Sequence, residues 1–232
     1  MTDPRSVSRA NRDGESGLPQ SLDASTTPPR VLIVGDVHGC VDELEDLVAR
    51  FDPRSEDQVV LVGDLVRKGP YSARVIEFIR AIGARSVMGN HDRYAVRLWD
   101  TGSVTELEAH HVAFLRELPR TIWLPEYNVR VVHAGLLPGL DMAQQSEETL
   151  LFVRSIRPDG TPARNAQEGV PWASLWRGPE HIVFGHDALR GFQSYPLATG
   201  IDTGCVYGNK LTGLVLPTHT LISVPAKRRY IS

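Results

Sequence analysis

The stretch Val31-Leu-Ile-Val-Gly-Asp-Val-His-Gly-Cys40 decides how the chain folds. Four apolar, mostly β-branched residues in a row read as a strand buried on both faces, and the run stops at a glycine followed at once by Asp36 and His38. The same device recurs downstream. Gln58-Val-Val-Leu-Val62 ends at Gly63-Asp64, Arg85-Ser-Val-Met88 at Gly89-Asn-His-Asp92, Val129-Arg-Val-Val132 at His133-Ala-Gly135, and Ile182-Val-Phe184 at Gly185-His-Asp187. Between the first three strands lie two helical periods, Leu44, Leu47, Val48 and Phe51, then Val75, Phe78, Ile79 and Ile82. Strand, helix, strand, helix, strand predicts an α/β fold with parallel pairing. Carboxyl ends of parallel strands share one edge, so the polar residues after these strands are expected to converge in a single crevice.

The rest of the chain frames this unit. A third helix is expected to start at Thr105, with Glu108 completing a capping box and Leu107, Phe114, Leu115 and Leu118 on one face, and to stop before Pro119. Leu211–Leu216 and Thr220–Val224 are spaced as a hairpin around Pro217. Gly69-Pro70 reads as a helix start whose N-terminus can face phosphate. Residues 1–29, without an aromatic and poor in apolar side chains, are expected as a disordered tail, residues 30–226 as one domain, and residues 227–232, with Lys227-Arg-Arg229, as a solvated C-terminal tail.

Composition removes several classes. No apolar run is long enough to span a membrane. Lys and Arg number 25 against 28 Asp and Glu, a net charge of −3, so no stable nucleic-acid binding is expected from charge. Cys40 and Cys205 cannot make a disulfide scaffold and are read as free structural thiols, with the cytoplasm as the default location.

Asp36, His38, Asp64, Asn90, His133 and His186 supply carboxylates, an amide and imidazoles in excess of what one four-coordinate ion takes from protein. Two divalent metal ions are the natural count, with Asp64 as the candidate bridge, and the mixed oxygen and nitrogen donors suit Mn, Fe or Zn. Lys68 can act as a point charge on a phosphate oxygen, while Arg93 and Arg177 can offer forked contacts. His91 is the candidate proton donor to a leaving group. Trp172 and Trp176, four apart, are read as packing. The connecting segments 93–128 and 136–180 are where selectivity is expected.

At these residues the chain resembles the phosphoprotein phosphatase family of calcineurin-like metallophosphoesterases, and in particular its ApaH-like branch, related to bacterial diadenosine tetraphosphatases. The matching motifs are Gly35-Asp-Val-His-Gly39, Gly63-Asp-Leu-Val-Arg-Lys-Gly-Pro70, Gly89-Asn-His-Asp92, His133-Ala-Gly135, Gly185-His186 and Asp202-Thr-Gly-Cys205. The resemblance implies a four-layer αββα fold, a β-sandwich flanked by helices, with Asp36, His38 and Asp64 on a first metal and Asp64, Asn90, His133 and His186 on a second. It implies a phosphoesterase acting on phosphate esters or anhydrides, with dinucleoside polyphosphate, inorganic polyphosphate or a capped RNA 5′ end ahead of phosphoproteins. The family pattern has Asp and Arg where this chain has Arg67 and Lys68, which leaves His91 without its usual carboxylate; the expectation is either another carboxylate, with Asp92 and Asp187 as the local candidates, or a His91 that works unassisted at reduced efficiency. Two alternatives stand beside this reading, a Ser/Thr protein phosphatase and a non-catalytic module that binds metal and phosphate without turnover.

Overall fold

The computed structural model describes residues 29–103 and 105–231, so the expected N-terminal tail lies outside the described residues but for Pro29. In the first part of the chain, β1 (Val31–Val34), α1 (Val41–Phe51), β2 (Gln58–Leu61), α2 (Ser72–Ala81), β3 (Arg85–Ser86), α3 (Asn90–Asp100), α4 (Ala109–Glu117), β4 (Thr121–Leu124) and β5 (Val129–Val132) follow one another. The second part adds α5 (Glu147–Phe152), β6 (Ser155–Ile156), β7 (Pro162–Ala163), β8 (Val170–Pro171) and α6 (Trp172–Leu175). It closes with β9 (His181–Phe184), β10 (Gln193–Tyr195), β11 (Ala198–Gly200), β12 (Lys210–Leu216) and β13 (Thr220–Pro225).

β1, β2 and β3 pair in parallel as the alternation requires, but they do not share a sheet with the other two motif strands. One five-stranded sheet has the order β13-β12-β1-β2-β3 and a second the order β10-β11-β9-β5-β4. The expected single sheet edge is therefore two edges, brought together by stacking. Period-two alternation drives that stacking. Val31 and Ile33 of β1 point into an inter-sheet core with Val129, Val131 and Val183, whereas Leu32 and Val34 face the opposite way, onto a core with Leu44 and Leu47 of α1 and Ile76 and Ile79 of α2. The outer face of the second sheet, through Val132, Ile182 and Phe184, meets Leu150 of α5 and Trp172 and Ala173 of α6. Helices, sheet, sheet and helices make the four layers. β1 is buried on both sides because both neighbouring layers need it.

Several local expectations shift. α3 was not anticipated, because its first turn is the Asn90-His-Asp92 motif itself and it buries little beyond Asp92 and Ala95. α4 begins at Ala109, with Glu108 as the cap residue and its N–H donating to His111 Nδ1 at 3.0 Å, so the start moves four residues past Thr105. α2 begins at Ser72, and Gly69-Pro70 belongs to the loop before it, where the Gly69 N–H donates to the His38 carbonyl at 2.8 Å. The first N–H of α2, on Ser72, donates to Glu106 Oε1 at 3.1 Å. Residues 227–231 are a strap rather than a tail: the Lys227 N–H and the Tyr230 hydroxyl both donate to Glu43 Oε1 at 2.8 Å, and Tyr230 and Ile231 pack on the helix-side core. Trp172 and Trp176 are buried packing residues, their indole N–H groups donating to the carbonyls of Ala134 and Glu180. Cys40 and Cys205 are both buried and free. No described helix is long and apolar enough to cross a membrane.

Candidate metal centre

Loops after β1 and β2 deliver Asp36, His38 and Asp64, the first turn of α3 after β3 delivers Asn90 and His91, and loops after β5 and β9 deliver His133 and His186 across the sandwich. All but His133 line one cleft of about 480 Å³, and His133 lies behind it, fully buried and 2.9 Å from Asn90 Oδ1. Reaching this arrangement strains the backbone. His38, Asp64, Arg67, Lys68 and His186 all hold positive φ, between 48° and 71°. Such conformations cost about 1–3 kcal/mol each for non-glycine residues and collect where function demands them. Glycines remove the remaining obstruction: a Cβ on Gly89 would lie 2.2 Å from Asp64 Oδ1, and one on Gly185 would lie 2.0 Å from Asp36 Oδ1.

The donor atoms fall into two groups that share Asp64. His38, Asp64 and His91 offer atoms within 4.8 Å of one another, as do Asp64, His133 and His186. Asp64 Oδ2 is 3.4 Å from His38 Nε2 and Oδ1 is 3.5 Å from His133 Nε2, so its two oxygens look at different groups. Asp36 is held beside them by the His186 N–H, which donates to both carboxylate oxygens at 3.1 and 3.2 Å.

The residues fit divalent cations, and the lone pairs show why. His133 Nδ1 lies 2.9 Å from the Val62 carbonyl and Nε2 2.9 Å from Asn90 Oδ1. With Nδ1–H donated to that carbonyl, Nε2 keeps its lone pair and faces Asn90 Oδ1, a nitrogen and an oxygen donor that one cation can take together. His186 Nε2 is buried with no hydrogen-bond partner among the described residues. His38 Nδ1 faces the Val66 carbonyl at 3.4 Å, and its Nε2 accepts from the Lys68 ammonium at 3.1 Å.

Electrostatics agree with the geometry. Burial, then repulsion from Asp202 and Asp64, holds Asp36 well above the usual carboxylate range. Burial pushes Asp64 up to about 7 and Asp202 to about 6. It pushes Asp92 to about 7, with Asp64 repelling the charge. Burial drives the imidazoles the other way, His133 to about 4 and His38 and His186 well below the ordinary value. His91 falls to about 3, through burial and the nearby Lys68 and Arg67. The crowded carboxylates resist ionising because they are buried and repel one another, and the imidazoles, kept neutral by burial, retain the lone pairs a cation takes.

A pH prediction follows from the signs. Raised carboxylates contribute stability that is lost as pH climbs through about 7, and lowered imidazoles contribute stability that is lost as pH drops below their unfolded value of 6.5. Metal-stripped protein is expected to unfold at its highest temperature near pH 6.5 and to lose several degrees by about pH 8. Metal-loaded protein should show a flatter profile and gain most over the stripped form at the alkaline end. Thermal scans of both forms across this range check it, and a stripped protein that stabilises steadily above pH 6.5 would contradict it.

Some expected residues sit elsewhere. Arg177 donates to the carbonyls of Ser174 and Trp176 and lines a separate cavity with Met142 and Glu180, so it does not reach the cleft. Arg93 lies over the Phe152 ring, faces Glu147 and Glu148 at 3.8 Å and is not part of the cleft lining. Lys68 does line it, within 3.1 Å of the Tyr207 hydroxyl as well. Asp92 cannot orient His91, because its oxygens accept the N–H groups of Gly89, Leu65 and Val66. Asp187 is paired with Arg190.

Sequence reasoning missed Arg154, Arg164, Asn165, Tyr207 and Asn209, which complete the lining. Only Asp202 among the additional residues carried a signal, as the head of the Asp202-Thr-Gly-Cys205 motif. Of the two segments expected to set selectivity, 136–180 contributes Arg154, Arg164 and Asn165, and no described residue of 93–128 is part of the lining.

Known proteins share this plan. A solved structure of a candidate diadenosine tetraphosphatase superposes with a TM-score of 0.81 at 41% identity, covering 88% of this chain and 96% of that one. The asymmetrical bis(5′-nucleosyl)-tetraphosphatase PrpE of Halalkalibacterium halodurans is 29% identical over 240 positions, covering 86% of this chain and 95% of that protein. The symmetrical bis(5′-nucleosyl)-tetraphosphatase of Coxiella burnetii is 28% identical over 273 positions, covering 86% of this chain and 93% of its own. Proteins with the calcineurin-like architecture act through two divalent metal ions and hydrolyse phosphoric ester or anhydride bonds. Since the model of the calcineurin-like phosphoesterases matches residues 29–220, most of the chain and every loop that lines the cleft, the chain belongs to that family.

Proposed function

We propose that the chain hydrolyses the phosphoanhydride bonds of dinucleoside polyphosphates, with His38, Asp64 and Asp36 holding one divalent ion and Asp64, Asn90, His133 and His186 the other. The observation that carries this reading is the company of the ligands. Lys68, Arg154 and Arg164 rim the same cleft, three cations where a single phosphoryl group needs fewer. They suit a chain of phosphates. Leu189, 83% exposed at the rim, and Phe192, 44% exposed on the same loop, offer apolar surface to a nucleoside base. Relatives along the whole domain are tetraphosphatases by name, which supports the same substrate class.

Bound divalent ions polarise phosphoryl oxygens and lower the pKa of water, and the mixed oxygen and nitrogen donors fit Mn, Fe or Zn. The protein does the rest. Asp64 and Asp36 supply the negative charge that concentrates those ions, and the strained loops hold the imidazoles fixed before substrate arrives. Lys68 and Arg154 meet the equatorial phosphate oxygens, and His91 faces the departing group. Arg154 is anchored for this by donating to the carbonyls of His186 and Arg164 at 2.8 and 2.9 Å.

A substrate panel tests the reading: diadenosine tetraphosphate, inorganic polyphosphate, capped RNA, an aryl phosphate and a phosphoserine peptide, each with Mn. The expected order places the dinucleotide first, with kcat/KM at least about 100-fold above the phosphopeptide. Preference for the phosphopeptide would make this a protein phosphatase, and saturating metal without turnover of any substrate would make it a binding module.

A further inference from the structure

The group behind His91 is a cation. Arg67 NH1 lies 3.2 Å from His91 Nδ1, and the Arg67 guanidinium carbon sits 4.0 Å from the centroid of the Tyr94 ring, which fixes the plane of the fork. The Arg67 N–H is anchored on the Ser72 hydroxyl at 3.0 Å. Among the described residues Arg67 makes no ion pair, and no carboxylate hydrogen-bonds the His91 ring. A guanidinium has five N–H donors, no acceptor, and does not give up its charge in proteins. Its contact with Nδ1 is a hydrogen bond only when Nδ1 carries a lone pair. The single ring proton then sits on Nε2, the nitrogen left to the cleft that His91 lines.

We propose that Arg67 is a positioning residue that fixes the Nε2–H tautomer of His91, and that the site is thereby tuned to phosphoanhydrides and against alkyl phosphomonoesters. This rests on the phosphoesterase reading above. A ring with one proton donates a hydrogen bond but cannot hand the proton over without becoming an imidazolate. During hydrolysis the water oxygen bonds to phosphorus as the bond to the bridging oxygen breaks. The electron pair of the broken bond stays on the leaving oxygen, and a proton of the attacking water passes to solvent. When the leaving group is a nucleotide phosphate, its anion is stable near neutral pH and the Nε2–H hydrogen bond suffices. An alkoxide leaving from serine phosphate needs a full proton, which this ring does not supply. A carboxylate in place of Arg67 would accept Nδ1–H instead, and the ring could then take and deliver a second proton through Nε2.

The test joins a spectrum to a rate ratio. In zinc-loaded protein labelled with 15N-histidine, the His91 ring, assigned by comparison with His91→Gln, should show the proton on Nε2; Arg67→Lys, which keeps a donor, should look the same. Arg67→Asp should move the proton to Nδ1 and lower the ratio of diadenosine tetraphosphate to phosphoserine peptide hydrolysis by on the order of 10²-fold, the low end of what a general acid contributes. Arg67→Ala, which only removes the donor, serves if the aspartate variant does not fold, and there the tautomer preference should weaken without a gain on phosphoserine. A wild-type ring protonated on Nδ1, or an Arg67→Asp protein whose tautomer flips while the ratio stays put, overturns the proposal. Inactivity on every anhydride would sink the phosphoesterase reading instead, and the spectrum would still decide the tautomer.

Discussion

Asp64→Asn is expected to lower kcat by on the order of 10⁴-fold or more and to strip the purified protein of much of its metal, while leaving metal-free stability intact or improved. The carboxylate faces His38 Nε2 with one oxygen and His133 Nε2 with the other, and it also accepts the His91 N–H at 2.8 Å. Asparagine keeps the shape and one acceptor, and it tolerates the left-handed backbone that Asp64 adopts at φ 52°. What it cannot keep is the second acceptor or the charge. Its NH₂ would point at one of the two groups, and a centre built on a shared anion would lose both ions together. Burial already lifts the Asp64 pKa to about 7, so a neutral amide relieves a cost that the metal-free fold carries. Metal analysis, rate with added Mn and thermal unfolding of stripped protein measure the three parts separately. Full metal content with near wild-type turnover would remove Asp64 from the centre of the mechanism.

What the sequence made legible was whatever local chemistry enforces by itself. Val31–Val34 and Val129–Val132 announce themselves because an apolar run that stops at a glycine or a histidine has few other readings, and α1 does so through an unbroken apolar face, whereas α2 buries Val75, Ile76 and Ile79 and leaves Ile82 of the expected period exposed past its end. The six candidate ligand positions carried the same signal, since five of them follow the strand they leave within a few residues and Asn90 opens α3 just after β3. α3 was hidden because its first turn doubles as the loop that carries Asn90 and His91, so polar motif residues masked a helix start that Asp92 completes by accepting the Gly89 N–H. The division into two sheets was hidden because parallel strands of one sheet and facing strands of two leave the same alternation in the chain. Arg154 shows the limit most clearly. It reaches the cleft through the carbonyls of His186 and Arg164, contacts formed only after the sandwich closes, and nothing near it in sequence distinguishes it from Arg177, which turned the other way.

His91→Ala is the complementary case, a large loss of rate with the centre intact. The ring has two nitrogens: Nδ1 lies 3.2 Å from Arg67 NH1, and on the tautomer proposed above Nε2 carries the proton and is left for the departing oxygen. A nitrogen that bears a proton has no lone pair for an ion, so although the His91 ring lies within reach of His38 and Asp64, it is not needed to hold metal. Metal content is therefore expected to match wild type. Turnover of the dinucleotide should fall by roughly 10²–10³-fold, the usual cost of removing one donor aimed at developing negative charge. The loss belongs in kcat, because the donor matters most when charge gathers on the leaving oxygen. It should also deepen with poorer leaving groups across a series of aryl phosphates, since a worse leaving group carries more charge at the moment the bond breaks. Should metal fall in step with rate, His91 is a ligand and the lone pair lies on Nε2; should the loss be the same for every leaving group, the ring acts on substrate placement and not on departure.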